Sequence, residues 1–333
     1  MKTEKGTGKY KTTDLYPNVS FVMPAYNASQ TVRDSVESIF NENYQKGDEV
    51  IIVNDCSTDD TLLILKKLKI KYPVIHIINN LTNKGAPASR NIGISRAKNN
   101  YIFNLDSDDV LVTGSRFDLE SCLIKNKADM AVFGESRFFQ TDINEITHIW
   151  IFKPGFMGLN DFLSSNKIPG QNCLYTKESW YKIGGYWEYD LGLLEDWGFF
   201  LKQIVCGSKI FVLSGKFYYH RYGRNSLFVR ETSKGSSMDT KMASRMIAPF
   251  LGLLDSKDAE FVKSERGRDR WFENLRRKPL RVKGMPLGRG HKVKYYYLTI
   301  LKVYFRKFLL SLKKTLYMII KGSYKDMYGI KKE

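Results

Sequence analysis

Tyr101-Ile102-Phe103-Asn104-Leu105-Asp106-Ser107-Asp108-Asp109 sets three carboxylates directly after a short apolar run. Side chains alternate along extended backbone, so Asp106 and Asp108 leave the chain on one edge. Carboxylates this close repel each other, and removing them from water without a partner is costly. A divalent cation with oxygen ligands, itself neutralising a phosphate, would hold them there. Asp and Ser are also frequent turn residues, so the segment alone reads equally as a strand entering a polar turn. A second acidic pair, Glu195-Asp196, stands before the aromatic run from Trp197 to Val205. A carboxylate there could take the proton of an attacking hydroxyl. Acidic residues at a helix start also complement the helix dipole, which is the purely structural reading.

The elements that must position these groups alternate. Val19–Met23 reads as a buried strand stopped by Pro24, and a helix follows from about Ser29 to Phe40 with Val32, Val36, Ile39 and Phe40 on one face. Glu49–Val53 is a second strand, ending in Asn54-Asp55-Cys56-Ser57-Thr58-Asp59. Ser57 or Thr58 can cap the helix that carries Leu62, Leu63, Leu65 and Leu68. Val74–Ile78 is a third strand, followed by Asn83-Lys84-Gly85 and a helix with Arg90 and Asn91 near its start. Residues 101–105 form the fourth. Strands alternating with helices predict a mostly parallel sheet, and such sheets bind ligands beyond the carboxyl ends of their strands. Polar loops stand at all four ends here. Gly-x-Gly-x-x-Gly after the first strand and Gly-x-x-x-x-Gly-Lys-Ser/Thr are both absent, which excludes ordinary dinucleotide and P-loop sites.

Taken together, Pro24-Ala25-Tyr26-Asn27, Val53 through Asp59, Asn83-Lys84-Gly85 through Ala88-Ser89-Arg90-Asn91, and Asp106-Ser107-Asp108-Asp109 resemble the nucleotide-sugar domain of family 2 glycosyltransferases. The resemblance covers about residues 17–225. It implies an α/β chain with the GT-A fold, a Rossmann-like α/β/α sandwich, here with a basic helical C-terminal extension. It implies that Ala25, Tyr26 and Asp55 line the base pocket, Asp55 accepting from a pyrimidine N–H. Lys84 would lie on the donor side, Arg90 near the diphosphate, Asp106 on the ribose and Asp108 on a divalent metal, Mn²⁺ or Mg²⁺. The catalytic base would be Asp196, with Glu195 in reserve. Asn54-Asp55-Cys56 stands where the family has Asp-Asp-Gly, and the second Asp is kept.

The middle of the chain should build the acceptor side. Strands are expected over 130–134, 146–153 and 171–175, a helix over 177–183, a turn at Gly184-Gly185 and a helix from Trp197 to Val205. Phe217-Tyr218-Tyr219-His220-Arg221 follows a strand at 210–213. In the family a His or Arg here closes over the diphosphate or completes the metal shell, a role open to His220. A hydrogen-bonded structural histidine is the alternative. Tyr26, Trp187 and Trp197 could stack on base or sugar, or fill core.

With 333 residues and 43% hydrophobic content, the chain can build one large domain and an appendage. Its four cysteines form no Cys-x-x-Cys pair, against a zinc or disulfide framework and consistent with a reducing cytosol. Residues 1–16 look like a flexible lead-in without a signal-peptide core. The net charge is +18, and residues 261–333 hold 21 Lys and Arg against 5 Asp and Glu. The basic character thus belongs to the tail, which points to an anionic partner. Residues 17–230 form the catalytic domain and 231–292 a helix (232–255) with a basic connector. Residues 293–333 carry an amphipathic helix whose charges interrupt every apolar stretch short of a membrane span. That composition suits a helix lying on an anionic bilayer, or one packed on the catalytic domain with its Lys face to water.

The expected activity is metal-dependent, inverting hexosyl or N-acetylhexosaminyl transfer from a nucleotide sugar, UDP-linked by preference. The acceptor is a hydroxyl of a growing surface glycan or glycolipid, reached from the cytoplasmic face of the membrane. Transfer to a polyprenyl phosphate, a non-catalytic membrane scaffold and a nucleic-acid-binding protein are the alternatives. The last lacks a recognisable module, so no nucleic acid is expected.

Overall fold

The computed structural model describes residues 16–159, 161, 168–188, 195–223 and 247–263. The expectations for the lead-in before Tyr16, the connector from 264 and the helix over 293–333 lie outside the described residues. Of the helix expected over 232–255, the described part is a 3-10 turn at Ala248–Leu253, and an α-helix follows only at Ser256–Lys263. Pro249 enters that turn among apolar residues without a polar cap.

Four strands come first, β1 (Val19–Ala25), β2 (Glu49–Asn54), β3 (Ile75–Asn79) and β4 (Tyr101–Asn104). Between them run α1 (Val32–Phe40), α2 (Thr61–Lys71) and α3 (Ala86–Arg96). β3, β2, β1 and β4 are neighbours in that order and all parallel, as the alternation predicts. After α4 (Ser115–Lys125) and β5 (Met130–Val132), the main sheet is completed by β8 (Gly155–Met157), β9 (Cys173–Thr176) and β10 (Ile210–Val212). The order across its eight strands is β3-β2-β1-β4-β9-β5-β10-β8. β9 runs antiparallel between β4 and β5, so its start lies beside the end of β4. A second sheet, ordered β11-β6-β7, consists of β6 (Glu135–Phe139), β7 (Ile146–Ile151) and β11 (Phe217–Arg221).

Alternation sorts the core into two layers. Phe21, Met23, Val50, Ile52 and Phe103 meet α1 through Val36 and Ile39, α2 through Leu65 and Leu68, and α4 through Leu119. Val22, Ile51, Val53 and Ile102 share the opposite cluster with Ile94 of α3 and with Trp180 and Ile183 at α5 (Lys177–Lys182). Phe199, Phe200 and Ile204 of α6 (Glu195–Val205) belong to it too. This is the expected α/β/α sandwich. A Cβ on Gly93 would come within 2.5 Å of Val22, so the missing side chain lets α3 lie close on β1.

Two expectations are corrected. Pro24 does not stop β1, which continues to Ala25 and pairs Pro24 with Val53. Val22 accepts from Leu105 on the β4 side and Ala25 from Asp55 on the β2 side. By alternation Pro24 faces β4, whose pairing has already ended at Val22 with Asn104, so its missing N–H costs no ladder bond. Ser57 and Thr58 do not cap α2. Ser57 Oγ accepts from Asn27 N, Thr58 N donates to Asn27 Oδ1, and Asp59 Oδ1 receives Thr61 N at the helix start. The segment 217–221 is a strand: Val110 and Tyr219 exchange backbone hydrogen bonds, which ties the second sheet to the acidic loop.

Candidate active site

The carboxyl ends of β1, β2, β3 and β4 bring the expected loops together. Asp55 is 2% exposed. Its Oδ1 accepts from Asn80 Nδ2 (2.7 Å) and Lys84 N (2.9 Å), and its Oδ2 from Gly85 N (2.8 Å). The carboxylate therefore shapes the β3–α3 loop, and any base contact must use lone pairs left over from these three bonds. Asn54 meets Asn79 side chain to side chain at 2.7 Å. Cys56 has φ +60°, the left-handed region that favours glycine, which explains the glycine the family keeps at this position. Ala25 is buried at the strand end and Tyr26 is 48% exposed beside it. Lys84 is exposed at the rim.

Arg90 lies inside the site, its side chain only 3% exposed. Nη2 reaches Asp106 Oδ1 at 2.6 Å and Nη1 reaches Glu195 Oε1 at 2.7 Å. One guanidinium thus joins the loop after β4 to the start of α6, where Glu195 stands 105 residues beyond Arg90. Burial opposes the cation, but Glu195 and Asp106 outweigh it and hold the guanidinium charged. Its fork geometry suits two carboxylates as well as it suits a diphosphate. The expected place near a diphosphate is therefore filled by a residue already paired on two sides.

The three acidic residues of the loop separate by role. Asp109 is fully buried. It accepts from Asn172 Nδ2 (2.5 Å), Arg221 N (2.8 Å) and His220 Nδ1 (3.1 Å). Asn172, placed there by the antiparallel course of β9, also accepts from Asp106 N at 2.9 Å. Asp106 is held by Arg90. Asp108 keeps none of these cations as its own partner. Its pKa is raised to about 7, first by burial, then by Asp109 and Asp106, with His220 opposing. A carboxyl so destabilised in its charged form is what a bound cation would relieve. Among the described residues no three His, Cys, Asp or Glu side chains converge as a complete metal cage. The donor set instead fits a hard cation held by one carboxylate and completed by phosphate oxygens and water, as Mg²⁺ is commonly bound. His220 spends Nδ1 on Asp109. Burial disfavours its cation, but Asp109 and then Asp108 outweigh this and lift its pKa to about 9.

Asp196 sits in the first turn of α6 and accepts from Trp197 N at 2.6 Å. Burial, then the neighbouring Glu195, raises its pKa to about 7. Glu195 is committed to Arg90. The two acidic residues thus differ: Glu195 is paired with the Arg90 guanidinium, and Asp196 carries a raised pKa beside it. Trp197 is 1% exposed and belongs to the core. Trp187 packs at its edge, with the Lys202 ammonium 5.2 Å from its ring centre. Sequence reading missed Asn172 and the clamping role of Asp109, and the only signal was that Asn172 begins an apolar strand.

Residues 20–189 match the sequence profile of Glycosyl transferase family 2, just over half of the chain, and the protein belongs to that family. It is 45% identical over 95 residues to UDP-Glc:alpha-D-GlcNAc-diphosphoundecaprenol beta-1,3-glucosyltransferase WfaP of Escherichia coli, a match over 28% of this chain and 37% of that protein. It is 40% identical over 95 residues to poly(ribitol-phosphate) beta-glucosyltransferase of Bacillus spizizenii, over 28% of this chain and 15% of the relative. The chain spans well under two thirds of the length of these relatives. Among solved structures, S. aureus TarS 1-349 in complex with UDP-GlcNAc superposes with a TM-score of 0.59 at 20% identity, over 85% of this chain and 79% of that one. That likeness bears on fold, which is the GT-A fold expected from the motifs. Among the described residues no helix is long and apolar enough to cross a membrane.

Proposed function

We propose that this family 2 chain moves a sugar from a UDP-sugar to a hydroxyl of a growing surface glycan, with inversion and with the help of a divalent metal. The observation that carries the reading is Asp196, a carboxyl poised near neutrality beside a glutamate tied to Arg90. An inverting transfer needs one carboxylate to accept the acceptor's proton as its oxygen attacks the anomeric carbon. Asp196 is matched to that task, and Glu195, through Arg90, fixes where it stands relative to Asp106. Asp55 and the loop it organises, with Ala25 and Tyr26, receive the base. Asp106 meets the ribose. Asp108 would hold the metal, with His220 Nε2–H left to donate to a phosphate oxygen or, once it gives up its proton, to meet the metal. When bound, that metal would offset charge on the departing diphosphate.

The family, the UDP-GlcNAc complex of the solved neighbour and relatives named for poly(ribitol-phosphate) or a diphosphoundecaprenol-linked acceptor support this donor and acceptor class. The basic segment from 261 to 333 would hold the chain at the cytoplasmic face of an anionic membrane, near a lipid-linked acceptor. The test is Asp196→Asn, assayed with UDP-glucose and UDP-GlcNAc. Transfer should fall by about 10²–10⁴-fold with donor binding kept. Full transfer in the variant would remove the base from the account and favour an already ionised acceptor such as a polyprenyl phosphate.

A further inference from the structure

The second sheet presents an aromatic face that the reading above leaves unused. Register puts Ser136 and Phe138 of β6, Trp150 and His148 of β7, and Tyr218 and His220 of β11 on the same side. His220, Phe138 and His148 form a row of rings across the three strands. The Phe138 and His148 rings stack at 4.0 Å between centroids with 13° between planes, and Phe138 meets His220 edge-on at 4.7 Å. Trp150 flanks the row at 4.8 Å from Phe138, and Tyr222 closes on His148 at 5.9 Å.

The two ends of this face differ. At the inner end Tyr218 is 2% exposed, held by Ser136, with Gly170 pressed so close that a Cβ there would lie 2.2 Å from its hydroxyl. The same segment continues to Asn172, which binds Asp106 and Asp109. At the outer end His148 is exposed, and Trp150 and Tyr222 are half-buried. His220, 32% exposed, belongs to both the row of rings and the acidic loop. The face therefore runs from the acidic loop, where His220 meets Asp109, to the surface.

We propose that Trp150, His148 and Tyr222 form an acceptor subsite that takes a pyranose ring of the glycan. A pyranose has an apolar C–H face and a hydroxyl rim. Rigid rings with one polar edge, as in Trp, Tyr and His, match both parts with little loss of side-chain freedom. A ring laid on this face extends from the acidic loop outward, the direction an acceptor chain must take if its terminal hydroxyl is to reach the donor. The inference rests on the transferase reading.

The test is saturation-transfer-difference NMR on the full chain with UDP and the diamagnetic Mg²⁺ present. The probes are methyl β-glucoside, methyl β-N-acetylglucosaminide and tri-N-acetylchitotriose. The wild type should transfer saturation to ring C–H protons of at least one probe. Trp150→Ala and Tyr222→Ala should weaken that probe about fivefold or more. Trp150→Phe should keep most of the affinity, and UDP affinity, measured by calorimetry, should stay within about twofold in all three variants. Unchanged saccharide affinity in both alanine variants overturns the proposal, as does a wild type that binds UDP but none of the probes. A wild type that fails to bind UDP overturns the donor reading itself, and the subsite falls with it.

Discussion

Replacing Arg90 by Met separates a clamp from a diphosphate ligand. The side chain is nearly sealed, and it holds Asp106 and Glu195 at 2.6 and 2.7 Å. Removing one partner of a buried ion pair costs about 3–5 kcal/mol, because a charge is left without compensation. Here the two carboxylates are 25% and 18% exposed, so water can reach them in part, and the lower end, about 3 kcal/mol, is expected. In a domain of this size that lowers Tm by roughly 6–12 °C. Arg90 also helps to lower the pKa of Asp196, which burial and Glu195 raise to about 7. Without the guanidinium the rising limb of kcat/KM should move to higher pH, by roughly one unit. Arg90→Lys keeps a charge but, as a point donor, satisfies one carboxylate well and should fall between. The assays are thermal unfolding of the metal-free protein at neutral pH and kcat/KM across the range around pH 7. A Met variant with unchanged Tm and an unmoved limb, whose defect is a raised donor Kd alone, would refute the clamp and restore Arg90 to the diphosphate.

Further outcomes follow from the same geometry. In the wild type, kcat/KM should rise with pH through about 7, because Asp196 accepts a proton only once ionised and its pKa lies there; a flat profile down to pH 5 would exclude it as the base. Arg116, Asp48 and Glu120 form a cluster with fully buried side chains, and burial, then Asp48, raises Glu120 from 4.5 to about 7 against the pull of Arg116. A carboxyl raised on folding gives stability that is present below about 4.5 and lost as pH rises through about 7. Glu120→Gln should therefore gain Tm over the wild type at pH 8 and less at pH 5, and an equal difference at both would contradict the assignment. At Cys56, Gly should be neutral or stabilising while Val, β-branched in a left-handed position, should cost roughly 1–2 kcal/mol in chemical denaturation.

The parallel half of the fold was legible because each of its strands is an apolar run followed by a polar loop and a helix. Those loops had to converge, whatever their individual weakness as signals. Of the second sheet only β7 was legible, as the strand expected over 146–153. Glu135–Phe139 sets Glu, Ser and Arg before two phenylalanines, and Phe217–Arg221 mixes rings with cations, so neither resembles a buried strand until its partner is known. The antiparallel return of β9 was hidden for a related reason: Cys173–Thr176 reads as a strand, but only pairing with β4 brings Asn172 to the acidic loop. Arg90 was visible as a motif residue, yet its partner Glu195 lies 105 positions away, beyond what local pattern can resolve. Pairing decided the rest: Arg90 holds Asp106 and Glu195, and Asn172 and His220 hold Asp109, which sets Asp108 and Asp196 apart from their acidic neighbours.

The central claim is that the strand ends bind a nucleotide sugar through a metal held at Asp108. The most direct measurement is hydrolysis and binding of a panel of UDP-, GDP-, CDP- and dTDP-sugars, with and without Mn²⁺ or Mg²⁺, for the wild type and Asp108→Ala. Metal-dependent binding and slow hydrolysis of a UDP-sugar, both lost in the variant, are the predicted result. Equal binding with and without metal, or an Asp108→Ala protein indistinguishable from the wild type, would contradict it.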